Sequence, residues 1–129
     1  MSSEDDVRRL ALALPEVVED ADHFRFSVMN GGKAKGFAWT WNERVDPKKP
    51  RIPRPGVLAV RVSGGEAKEL LLASDPAKFF TEAHYDGFPA VLVRLAAVEP
   101  DELEELLIEA WSAMATRALA QELAARLGR

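Results

Sequence analysis

His23-Phe24-Arg25-Phe26-Ser27-Val28-Met29-Asn30-Gly31-Gly32-Lys33-Ala34-Lys35-Gly36-Phe37-Ala38-Trp39-Thr40-Trp41 is the stretch that decides the fold. Its first half alternates with period two: Phe24, Phe26 and Val28 share one face, and Arg25, Ser27 and Met29 share the other. Asn30-Gly31-Gly32 then supplies residues that tolerate positive φ, which reads as a hairpin turn. The return strand is predicted over residues 34–41, with Phe37, Trp39 and Trp41 aligned on one face and Gly36 marking a bulge. The hairpin makes the sheet antiparallel, and the remaining segments are read as what extends or covers it.

Downstream, residues 42–56 contain Pro47, Pro50, Pro53 and Pro55. So many prolines argue against a helix or a central strand, so the segment reads as a stiff surface excursion. Residues 57–62 resume as a strand. Ser63-Gly64-Gly65-Glu66 has capping-box spacing ahead of a short helix, and Asp75-Pro76 starts a turn ending at Phe79 and Phe80. His84 to Pro89 reads as a turn, and residues 90–96 as an apolar strand. Pro100, Asp101 and Glu102 open a last helix with Leu103, Leu106, Leu107, Ala110, Trp111 and Met114 on its apolar stripe. Leu119, Leu123 and Leu127 continue it, with a break near Thr116. Upstream, Ser3 caps a first helix carrying Val7, Leu10, Ala11 and Leu14, and Pro15 ends it. Glu16, Glu19, Asp20 and Asp22 then read as an acidic loop. The order α-β-β-β-α-β(β)-α indicates an α+β fold with a mostly antiparallel sheet.

Residues 1–129 are of a size for one domain, and 47 % hydrophobic residues is enough for a packed core. With no cysteine, disulfides, thiolate metal sites and cysteine nucleophiles are excluded. The polar start and the lack of a long apolar run point to a soluble, cytoplasmic protein without membrane contact.

Charge is segregated. Between Lys33 and Arg61 eight basic residues face only Glu43 and Asp46, a net +6, leaving −10 for the remainder of a chain of net −4. Such an island creates a positive field that the net charge conceals. It can meet phosphate, an acidic partner or the chain's own acidic face. As a phosphate-contacting surface its residues are Lys33, Lys35, Arg44, Lys48, Lys49, Arg51 and Arg54. Trp39 and Trp41 read as one side of a half-buried strand, with base stacking as the functional alternative.

Catalytic signals are sparse. His84 beside Asp86 fits a turn better than an acid–base pair, and His23 lies far away in sequence. The acids at the amino end suit helix-capping chemistry rather than a cation site. No nucleophile elbow, phosphate loop or dinucleotide fingerprint is present. The expectation is a protein with no enzymatic activity, cofactor or metal.

Several segments, in order, resemble the MmcQ/YjbR family. They are Ala11-Leu12-Ala13-Leu14-Pro15-Glu16; Phe26-Ser27-Val28 before the glycine hairpin; Val57-Leu58-Ala59-Val60-Arg61-Val62; Ala73-Ser74-Asp75-Pro76-Ala77-Lys78-Phe79-Phe80; His84-Tyr85-Asp86-Gly87; and Ala90-Val91-Leu92-Val93-Arg94-Leu95 leading to Glu102-Leu103 and Trp111. The resemblance implies a small α+β fold related to type III secretion chaperones, and a DNA-binding role through a double-wing-like sheet. One departure is Ala115-Thr116-Arg117, where the family often has Ala-Pro-Lys; without the proline, continuation of the last helix is an open alternative. The leading expectation is therefore a DNA-contacting module using the basic loop. The alternative is a protein- or peptide-interaction domain.

Overall fold

A computed structural model describes residues 1–128. Six strands form one sheet: β1 (Val17–Glu19), β2 (Arg25–Asn30), β3 (Lys33–Glu43), β4 (Ile52–Arg61), β5 (Phe79–Phe80) and β6 (Ala90–Arg94). Their order is β1-β2-β3-β4-β6-β5, and every pairing is antiparallel. The helices are α1 (Glu4–Leu12), α2 (Gly65–Ser74), α3 (Pro100–Met114) and α4 (Arg117–Arg126). The α+β architecture is as the hairpin and flanking helices imply.

The helix-side core follows the predicted stripe. Leu103, Leu107, Ala110 and Trp111 are buried in one cluster with Val91 and Val93 of β6, Leu58 and Val60 of β4, Phe26 and Val28 of β2, and Val7, Leu10 and Ala11 of α1. Leu106 and Met114 lie at its margin. Trp111 is fully buried, and its indole N–H donates to Pro15 O at 2.9 Å. That bond fixes the chain where α1 turns toward the sheet.

Four expectations about element bounds and caps are corrected. Val17–Glu19, read as loop, pairs with β2 as an edge strand, and Glu19 accepts from Arg8 at 2.9 and 3.0 Å. Ile52–Gly56, read as excursion, belongs to β4, with Asn42 opposite Pro53. Proline is tolerated there because β6 pairs with β4 only from Val57 onward, so this part of β4 has one neighbour. Ser63 does not cap α2; Gly64 occupies that position without a side-chain bond. The apolar strand stops at Arg94, because Leu95–Ala97 turns into a 3₁₀ helix.

A bulge shapes β3. The register shifts opposite Phe26 and Ser27, which pair with Ala38 and Gly36, so Phe37 is the extra residue of a bulge. Phe37 joins the helix-side core, whereas Trp39 and Trp41 pack on the opposite face. The three rings do not share a face, because the bulge resets the alternation. The last helix does break, at Ala115: Thr116 Oγ1 accepts from the Leu119 N–H at 3.2 Å and starts α4. A threonine cap achieves the break without the proline.

Candidate functional site

The basic island is split by the strand that carries it. Lys33 opens β3, and Lys35 follows two residues later. Arg44, Lys48, Lys49 and Arg51 occupy the loop beyond its far end, and Arg54 lies in β4 opposite Trp41. Because β3 is 11 residues long, the two groups sit roughly 30 Å apart along it. They do not form one patch.

Within the loop, arginine and lysine play different parts. Arg44 Nη1 donates to Pro47 O at 3.1 Å and Lys49 O at 3.0 Å, and Arg51 Nη1 donates to Asn42 O at 3.1 Å. Arg54 Nε meets Glu43 Oε1 at 2.7 Å across the β3–β4 ribbon. These guanidiniums shape the loop by satisfying its own carbonyls and one carboxylate. Lys33, Lys35, Lys48 and Lys49 have no side-chain ion pair or hydrogen bond among the described residues. The four lysines are the island's uncommitted charges.

The sheet face away from α3 carries a second constellation that the sequence did not single out. Ala59, Tyr85, Ala90 and Leu92 form a small buried cluster flanked by Trp39, Trp41, Val57 and Phe80. Trp39 Nε1 donates to Tyr85 Oη at 3.1 Å, and Phe88 lies edge-on to both rings. Three guanidiniums stack here: Arg25 on Trp39 at 5.1 Å, Arg61 on Phe88 at 4.8 Å and Arg94 on Phe80 at 4.1 Å. Arg25 and Trp39 are register partners across β2 and β3, which is why they meet.

A buried lysine holds the 85–88 turn in place. Lys68 Nζ reaches from α2 to donate to Tyr85 O and to Phe88 O, the latter at 2.9 Å. Burial pulls its ammonium below the ordinary lysine value, and the nearby Asp86 carboxylate partly opposes that shift. His84 is exposed, with its ring edge against Tyr85 at 5.6 Å. Among the described residues no three His, Asp or Glu side chains converge as a metal site. Also among them, no helix is long and apolar enough to cross a membrane.

One antiparallel sheet, backed by a long helix and bearing stacked aromatics and cations on its other face, places the molecule among small α+β domains. Within that class the chain belongs to the YjbR family, whose pattern it matches over residues 12–113. It is 37 % identical over 135 residues to uncharacterized protein Rv2570 of Mycobacterium tuberculosis and to uncharacterized protein Mb2600 of Mycobacterium bovis. Each match spans 99 % of this chain and all of the relative. The crystal structure of Deinococcus radiodurans protein DR2400, with a DUF419 domain, is similar at a TM-score of 0.67 and 25 % identity. That similarity covers 95 % of this chain and 88 % of the other.

Proposed function

We propose that this chain is a non-enzymatic module that contacts the nucleic-acid backbone through Lys33, Lys35, Lys48 and Lys49. The observation that carries the reading is their lack of internal partners: Lys33 and Lys35 on β3, and Lys48 and Lys49 in a loop whose arginines are already engaged. A lysine committed to no carboxylate brings its full charge to a phosphate and releases a counterion there. Such contacts position a protein on a duplex without reading bases. The prolines around the loop lower the ordering cost of contact.

Titration of fluorescent duplex DNA at about 50 mM salt tests the reading, since screening is weak there. Saturable binding, removed when all four lysines are changed to glutamate, is the expected result. Binding untouched by those reversals, or none at all, would overturn it and leave the protein-interaction reading in its place.

A further inference from the structure

The groove beside the β2–β3 overhang has a chemistry of its own. β3 pairs with β4 only from Ala38 onward, so the hairpin extends past the end of β4. The space there, about 680 Å³, is lined by Arg25, Lys35, Trp39, Arg61, Tyr85 and Phe88 among others, with no carboxylate in its wall. We infer that this groove binds a small phosphate ester bearing a planar ring, a ligand of nucleotide size. The inference does not depend on the backbone-contact reading.

Three observations support it. First, Arg25 and Arg61 stack on rings at 5.1 and 4.8 Å, and neither guanidinium has a hydrogen-bond acceptor among the described residues; the Asp20 carboxylate feels the Arg25 charge without bonding it. Arginines elsewhere in the fold differ: Arg8, Arg44, Arg51, Arg54 and Arg94 each donate to a carboxylate or carbonyl. Second, Arg61 Nε is buried without a hydrogen-bond partner, a state that native proteins rarely leave uncompensated. Third, Gly36 keeps the space that Arg25 uses, since a Cβ there would overlap the Arg25 guanidinium. Gly36 is not among the positive-φ glycines, so backbone conformation does not explain its choice.

The parts divide the ligand between them. The fork of each guanidinium matches two oxygens of a phosphate, and Lys35 adds a third positive charge to the same wall. Tyr85 Oη accepts from Trp39, so its hydroxyl proton remains available to an acceptor. The aromatic walls suit the ring portion. A volume of this size exceeds a lone phosphate and falls within the range of small-molecule sites.

Isothermal titration with adenosine monophosphate, adenosine and inorganic phosphate separates the contributions. Saturable binding of the monophosphate is expected below about 1 mM, with adenosine and phosphate each at least about tenfold weaker. Arg25→Gln and Arg61→Gln should each lose at least about tenfold, as for a lost charge-assisted bond. Gly36→Ala should weaken binding too, although it removes no charge. Circular dichroism checks that each variant folds, and Arg25→Gln, on an exposed side chain, keeps the test intact if Arg61→Gln does not. No saturable binding, undiminished affinity in Arg25→Gln, or equal affinity for monophosphate and either fragment would overturn the assignment. No nucleic acid enters the assay and neither arginine belongs to the lysine set, so its outcome is distinct from that of the duplex titration.

Discussion

Trp111 shows how one residue serves both packing and chain direction. Its side chain is wholly excluded from solvent, in contact with the cluster that joins α1, α3 and the sheet. Its indole N–H also satisfies the Pro15 carbonyl, just before Glu16 adopts a left-handed backbone at φ 58°. Trp111→Ala removes the largest fully buried side chain and should cost about 3–5 kcal/mol in urea unfolding. Trp111→Phe keeps most of the volume but leaves Pro15 O without its donor, so it should cost less, about 1–3 kcal/mol. Equal losses in the two variants would mean that the hydrogen bond, not the packing, dominates.

At the scale of elements, the start of α3 is coupled to the β5 end of the sheet through Glu102. One carboxylate oxygen accepts from Lys78 Nζ at 2.7 Å and the other from the Glu99 N–H at 3.3 Å. The Lys78 bond, then the Glu99 bond, hold the Glu102 carboxyl below the ordinary glutamate value. A depressed carboxylate contributes stability above its unfolded pKa, about 4.3, and loses it as pH falls through the lower folded value. Wild type should therefore melt above Glu102→Gln at pH 7, and the gap should close as melts are taken below about pH 4. A gap that acid leaves unchanged would contradict the coupling. The strongest periodic signals, the α3 stripe and the glycine hairpin, were legible in the sequence because each is local. β1 was not, since three residues amid carboxylates acquire strand character only by pairing with β2. Nor was the strand identity of Pro53, which depends on β4 having one neighbour there. The same limit applies to the candidate sites. The basic residues were plain to read, but the engagement of Arg44, Arg51 and Arg54 by the loop depends on its folded path. Arg25 and Trp39 became partners only through a register set by the bulge at Phe37.

Across the whole molecule, charge is arranged along β3 rather than gathered on one patch. The island's +6 is displayed at two ends of a strand, against −10 elsewhere. That division constrains any duplex the molecule contacts. Roughly 30 Å of strand is close to one turn of B-form DNA, about 34 Å, so both lysine pairs can reach phosphates only on a duplex of at least about that length. With four phosphates neutralised, the slope of log K against log salt should be about −3 to −4 on a 20-base-pair duplex. A duplex of about 6 base pairs spans only about 20 Å and should engage one end, so its slope should be about half as steep. Reversing Lys48 and Lys49 alone should flatten the long-duplex slope to that same value, while leaving the short-duplex slope nearly unchanged if Lys33 and Lys35 provide its contacts. Fluorescence anisotropy across about 50–200 mM salt measures these slopes. Equal slopes on the two duplex lengths would show that one end of β3 carries all the contact, and the two-ended arrangement would then have no part in binding.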